Sequence, residues 1–106
     1  MNITQAFNNE DQFRQLLRRI QIPVPNINRL FNEEGVNTAK ALADTRIKDL
    51  ELSMTNVNRL FGSHTQAARR IYFALICMQR IKALCVYFKR RLDANRIPDI
   101  RHHYDG

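Results

Sequence analysis

The stretch HTQAARRIYFALICMQRIKALCVYFKRRLDA, residues 64–94, decides the fold of this chain because it contains neither glycine nor proline. Its apolar residues recur at helical spacing, and a run of this length without a helix breaker predicts one continuous helix. At 1.5 Å per residue the helix would be about 45 Å long. The segment RIPD, residues 96–99, carries the next proline and is expected to end the helix.

Two arcs separate when residues 69–92 are placed at 100° intervals around a helix. One arc is apolar and is expected to pack against the rest of the chain: Ile71, Ala74, Leu75, Cys77, Met78, Ile81, Leu84, Cys85, Phe88 and Leu92. The opposite arc contains the arginines and tyrosines: Arg69, Tyr72, Ile76, Gln79, Arg80, Ala83, Tyr87, Arg90 and Arg91. The sequence therefore predicts a helix with one buried side and one cationic side.

The first two thirds of the chain are predicted to form short helices. Polar residues that are typical N-caps precede each apolar segment: Asn9, Asn26, Asn37 or Thr38, Thr45 and Thr55. The fold class expected from these signals is all-α, an orthogonal bundle of about five short helices plus one long basic C-terminal helix. We expect residues 1–95 to form a single helical domain and residues 96–106 to form a flexible C-terminal tail or linker.

The charge is distributed unevenly along the chain. Residues 1–68 carry eight Lys/Arg against seven Asp/Glu, whereas residues 69–106 carry nine against three, and the net charge is +7. A strongly basic segment indicates a polyanionic partner such as nucleic acid, although the same charge also serves solubility.

The composition predicts neither membrane insertion nor secretion. The longest apolar run, residues 71–78, is shorter than the roughly 20 residues that a bilayer requires, and the N-terminal residues lack the features of a secretory signal. Cys77 and Cys85 would lie about 12 Å apart along the helix, which is too far for a disulfide. They predict buried thiols in a reducing compartment, so we expect an intracellular location in the cytoplasm or nucleus.

No motif in the sequence predicts catalysis. The histidines, His64, His102 and His103, do not combine with the two cysteines at the spacing of a metal site, and the three isolated glycines form no phosphate-binding loop. Neither cysteine stands in an arrangement typical of a nucleophile. We therefore expect no enzyme activity, no metal or other cofactor, and no small-molecule substrate.

The cationic arc supports a first functional hypothesis. Arginine guanidinium groups pair with phosphates, and tyrosine rings stack on bases or lie against sugars. The residues predicted to bind nucleic acid, either DNA or RNA, are Arg69, Arg80, Tyr87, Arg90 and Arg91. The same residue types also mark protein–protein hot spots, and a plain solvated helix face is the third interpretation.

A second hypothesis is a protein-interaction or self-association module. Lys82 and Lys89 fall inside the apolar arc, so either their side chains extend past the edge of the core or the helix projects beyond the globule. A projecting C-terminal half would pack on a second copy of the chain, which makes a homodimer an alternative. Its contacts would be Cys85, Phe88 and Leu92.

The segment NINRLFNEEGVNTAKALA, residues 26–43, followed by Ile47, Leu50 and Leu52, resembles the sterile-alpha-motif-like (SAM-like) helical domains. It is similar to the small N-terminal domain of eukaryotic and archaeal RecA-like recombinases, and the resemblance covers about half of the chain. The chain also resembles helical segments at the start of retroelement-type polyproteins, in which a similar domain leads into a long basic helix.

The resemblance to the recombinase domain implies contact with the DNA backbone through a glycine-containing hairpin. The equivalent stretch here, SMTNVNRLFG at residues 53–62, has no glycine at its tip, and Arg59 is the nearby donor. Taken with the basic helix, these features predict a non-catalytic nucleic-acid-binding module at the N-terminus of a larger protein, with a protein-interaction or self-association module as the alternative.

Overall fold

The computed structural model describes residues 2–61, the last two by their backbone alone, and residues 73–98. Within these ranges the chain forms six helices: α1 (Ile3–Phe7), α2 (Glu10–Arg19), α3 (Val24–Asn32), α4 (Ala39–Asp44), α5 (Ile47–Phe61) and α6 (Leu75–Asp93). No strand occurs in the described residues, and the prediction of an all-α bundle is confirmed.

Side-chain caps account for where three of the helices begin. The amide oxygen of Asn2 accepts from the backbone of Gln5, and the Gln5 side chain accepts from the Asn2 backbone in return, so α1 starts with a full capping box. Asn9 caps α2 and Thr38 caps α4, each at 3.0 Å from a backbone N–H three residues later. The sequence predicted the cap at Asn9 and offered Asn37 or Thr38 as the cap of α4, whereas it gave no sign of α1.

Three of the predicted N-caps, Asn26, Thr45 and Thr55, are wrong. Thr45 is the C-cap of α4, and its hydroxyl donates to the Ala41 carbonyl at 2.8 Å. Asn26 does not cap α3, because the helix already begins at Val24, and Asn26 is buried within it. Pro25 is tolerated there because the first helical turn has no use for its missing N–H. Thr55 does not open a separate helix either, since α5 is continuous and the Thr55 hydroxyl donates to the Glu51 carbonyl inside it at 2.7 Å.

The core is organised around α6, against which α4 and α5 both pack. The Phe88 ring of α6 meets Phe7 of α1 edge-on, with centroids 6.1 Å apart, and Phe13 of α2 at 6.3 Å. The largest fully buried side chains come from all six helices and from Phe73 just before α6: Phe7, Phe73, Phe88, Leu17, Ile27, Leu30, Leu42, Leu50, Met54, Ile81, Leu84 and Val57. The six described helices therefore share one core, with α6 at its centre.

The predicted helix over residues 64–94 is not continuous, because Phe73 and Ala74 are not helical. Ala74 has φ −59° and ψ 149°, an extended conformation, and α6 begins only at Leu75. Asn58 of α5 holds the preceding residue, because its amide oxygen accepts from the Phe73 N–H at 2.6 Å and its amide nitrogen donates to the Phe73 carbonyl at 2.9 Å. The predicted helical residues 64–72 lie outside the described ranges.

The expected tail starts with residues that are held against α6. The Arg91 side chain donates from Nε and Nη2 to the Ile97 carbonyl, at 3.2 and 2.8 Å, and Pro98 is buried. Residues 99–106, the remainder of the predicted tail, lie outside the described ranges.

Replacing Asn58 tests the two-sided amide contact that sets the start of α6. Asn58→Ala leaves the N–H and carbonyl of Phe73 without these partners, so we expect the free energy of unfolding in urea to fall by about 1–3 kcal/mol. The matched control is Asn56→Ala, whose amide oxygen accepts from Arg59 at the surface, and a change within about 0.5 kcal/mol is expected. Equal losses in the two variants would contradict this explanation.

Candidate interaction surface

The buried side of α6 is the side that the sequence predicted. Cys77, Ile81, Leu84, Cys85 and Phe88 are all buried, at the three- and four-residue spacing of one helical stripe. Within the predicted apolar arc, Leu75 is 69% exposed and Ala74 is also exposed, whereas Met78 and Leu92 are half-buried.

Lys82 and Lys89 flank the buried stripe on the side of α4 and α5. The Lys82 ammonium lies 3.1 Å from the Glu51 carboxylate. The Lys89 ammonium donates to the carbonyls of Ala43 and Thr45, the latter at 2.7 Å, and so caps the C-terminal end of α4. The expectation that the C-terminal half of the helix projects from the globule is therefore wrong, since these lysines connect it to the other helices.

The residues predicted for self-association do not form an accessible surface. Cys85 and Phe88 are both 0% exposed. The Cys85 thiol donates to the Leu42 carbonyl at 3.1 Å, and Leu92 is half-buried against the core. A second copy cannot reach Cys85 or Phe88 in this fold, because the chain's own helices already cover them.

Burial also determines the chemistry of the two thiols. Desolvation raises the pKa of Cys77, partly offset by the nearby Arg80 charge, and raises the pKa of Cys85, partly offset by Lys89. Both thiols thus stay protonated in the neutral range, the inert state of a buried structural cysteine.

Most of the residues predicted to bind nucleic acid make contacts within the chain. Arg80 donates from Nη1 to the carbonyl of Ile20, the C-cap of α2, at 3.1 Å. The Arg91 guanidinium holds Ile97 and lies 5.7 Å from the centre of the Tyr87 ring, which is itself half-buried. Only one of these residues, Arg90, is exposed and has a side chain that forms no hydrogen bond or ion pair with any described residue. The remaining one, Arg69, lies outside the described ranges.

The side of α6 that faces away from the core is largely apolar. We call it the outer face, and its members are Leu75, Ile76, Gln79, Ala83, Val86, Arg90 and, at the C-terminal end, Asp93. Ile76 is 51% exposed and Val86 is 37% exposed, and with Leu75 they are half of the large exposed hydrophobic side chains found among the described residues. Their exposure is grouped on one helix face, which is unlike the scattered single exposures of an ordinary surface.

Sequence reasoning missed this face for a specific reason. The run of residues 71–78 is apolar on every side, so helical periodicity assigned Leu75 to the buried arc and placed Ile76 among arginines. A usable signal was present, because Ile76 and Ala83 give the predicted cationic arc a hydrophobic component that phosphate binding does not require.

The described ranges contain no group of histidine, cysteine and carboxylate side chains that could hold a metal ion. They also contain no helix that combines the length and the apolar character needed to cross a membrane. A cleft of about 280 Å³ between α3 and α5 contains the Arg29–Glu34 ion pair, at 3.6 Å. Its other lining residues are Asp49, Leu52, Ser53, Asn56 and Val57.

Comparison of the chain with protein-family models, with curated proteins and with solved structures finds no match. The interpretation of the surface therefore depends on the geometry of the residues themselves.

The two flanking lysines allow a matched test of how α6 is fastened to the bundle. Lys89→Met removes a charged donor from two backbone carbonyls, and we expect it to lower the free energy of unfolding by about 1.5–3 kcal/mol. Lys82→Met removes one partly exposed ion pair and should lower it by less than about 1 kcal/mol. Urea denaturation of both variants measures the difference, and a larger loss in Lys82→Met would contradict the capping role of Lys89.

Proposed function

We propose that this chain is a non-catalytic protein-interaction module that docks a partner on the outer face of α6. The observation that carries the proposal is the alignment of Leu75, Ile76 and Val86, exposed on the same helix whose opposite side organises the core. A contiguous apolar patch on a solvent-exposed helix face commonly marks a binding site for another macromolecule.

The size of the outer face indicates what kind of complex it supports. Covering the exposed parts of Leu75, Ile76 and Val86 is worth about 1 kcal/mol for each side chain. A single 19-residue helix face is smaller than the roughly 800 Å² that a stable partner buries on each side. We therefore expect a transient complex of about micromolar affinity unless further surface takes part.

Two other features support the same proposal. Both free cysteines are buried, which fits a reducing intracellular compartment. The order of short helices followed by one long helix is compatible with the SAM-like resemblance, which we keep as part of the proposal.

Nucleic-acid binding is a second candidate, and the positive charge of the chain favours it. Arg90 and Arg96 are exposed, and neither side chain makes a hydrogen bond or ion pair with another described residue. We rank it second because Arg80 and Arg91 already donate within the chain. Tyr87 is half-buried, so its ring is only partly accessible for stacking on a base.

The docking proposal is tested by selecting binders from a display library of amphipathic helices in which all flanking charges are equally represented. We expect the selected helices to bind the wild-type chain and to lose at least about tenfold in affinity, or about 1.4 kcal/mol, with Ile76→Ser/Val86→Ser. The double variant should keep its stability, because exposed positions tolerate polar replacement.

The matched control is Val24→Ser/Leu52→Ser, which makes the same kind of change at side chains that are 47% and 58% exposed on α3 and α5. Binding should be unchanged in this control. The docking proposal is rejected if no helix is selected or if both double variants bind equally well. A large fall in stability of Ile76→Ser/Val86→Ser alone would mean that the chain itself covers this face, which also rejects the proposal.

The second candidate is tested by fluorescence anisotropy with single- and double-stranded oligonucleotides. If phosphate contacts dominate, affinity should fall steeply between about 50 and 200 mM salt. Arg90→Glu/Arg96→Glu should weaken binding and reduce the salt slope by about one unit for each arginine–phosphate pair that the substitutions remove. An affinity that is insensitive to salt, or to this double variant, would rule out phosphate binding through these arginines.

A further inference from the structure

We propose that the partner of the outer face is an acidic amphipathic helix, with an apolar stripe bordered by aspartate or glutamate side chains. This inference depends on the docking function proposed above and adds the chemistry of the occupant. It follows from the charges around the face and from the spacing of its side chains.

The charge around the outer face is almost entirely positive. The α6 sequence contains five Lys/Arg and one acidic residue, Asp93, at its end. At 100° per residue, Arg80 and Arg91 lie along one border of the outer face and Lys82 and Lys89 along the other, while Arg90 lies within it. Any partner that covers the apolar side chains must therefore also approach this border of cations.

Most of these cations are hydrogen-bonded but not neutralised. Arg80, Arg91 and Lys89 donate to backbone carbonyls, which carry no net charge. Lys82 alone is paired with a carboxylate, that of Glu51, and the Arg90 side chain has no partner among the described residues. Among the described residues, four of the five positive charges therefore have no carboxylate partner. Three of them border the outer face and Arg90 lies within it, and acidic side chains on a partner would complement them.

The spacing of the outer face fits a helix better than an extended peptide. Ile76, Gln79, Ala83, Val86 and Arg90 follow one another at intervals of three and four residues, which forms a seam like that of paired helices. Ala83 lies midway between Ile76 and Arg90, and its small side chain lets a second helix approach closely there. The described residues include no strand whose edge could pair with an extended peptide.

A second copy of the chain is a poor occupant of the same face. Two copies related by a two-fold axis would bring the cations of both chains into one interface, because a symmetric interface uses the same patch on both partners. With uncompensated charges on both helices, the like-charge repulsion opposes the apolar gain. The charge complementarity therefore favours a different, acidic chain.

The test uses the tightest helix from the selection described above, resynthesised in four forms. Three forms keep its apolar stripe and carry Glu, Gln or Lys at the flanking positions. The fourth keeps the Glu flanks and replaces the apolar stripe with Gln. Fluorescence anisotropy measures the binding of each form to the full chain at about 50 and 200 mM salt, across which the screening of exposed charges changes markedly.

We expect the Glu form to bind at least about tenfold more tightly than the Gln form and the Lys form to bind most weakly. The advantage of the Glu form should shrink at the higher salt concentration. Arg90→Gln should weaken the Glu form several-fold and leave the Gln form unchanged. The matched control Arg18→Gln, at an exposed arginine of α2, should change neither.

Each contrary result has a distinct meaning. If the Glu and Gln forms bind equally and both depend on Ile76 and Val86, the docking function stands and the acidic partner is rejected. If the stripe-free Glu form binds as well as the others, the surface attracts polyanions in general, nucleic acid included, and the acidic-helix proposal is overturned. A selection that yields no binder rejects the docking function and this inference with it.

Discussion

The architecture depends on the burial of one stripe of α6 by α1, α2, α4 and α5. Phe88 contacts aromatic rings of α1 and α2, while α4 and α5 pack along the same helix. No part of the described bundle has a core of its own, because each short helix buries its apolar side mainly against α6 or against a neighbouring helix. Short helices are marginal on their own in water, so their stability comes from this shared packing.

The same stripe imposes a constraint on the cations that border it. A lysine or arginine beside a buried stripe must keep its head group solvated or hydrogen-bonded, since an unpaired buried charge is strongly unfavourable. Lys89 and Arg80 meet this requirement at the carbonyl ends of α4 and α2, where the helix dipole is negative. The charge that looked like a nucleic-acid surface in the sequence thus has a structural use, which composition alone does not reveal.

The sequence predicted the helical class, the cap at Asn9, a cap of α4 at Asn37 or Thr38, and the buried stripe of α6, because each depends on local spacing or on a local hydrogen bond. It failed where a contact between distant residues decides the outcome. Asn58 lies 15 residues before Phe73, and nothing in the local pattern around residue 73 shows that an amide will hold the chain extended there. The assignment of Cys85 and Phe88 to a dimer interface failed similarly, because it assumed that the short helices could not cover the C-terminal half of α6.

The outer face shows why helical periodicity is ambiguous for a helix that is apolar on both sides. Periodicity identifies the inward side only when the outward side is polar, and Ile76, Ala83 and Val86 remove that contrast. Packing then decides, since the bundle is wide enough to cover one side and not the other. The fold gains little from large aliphatic groups at the exposed positions, because side chains there contribute little to the free energy of unfolding. The proposed docking of a partner would explain why they are grouped at helical spacing, beside cations that have no carboxylate partner among the described residues.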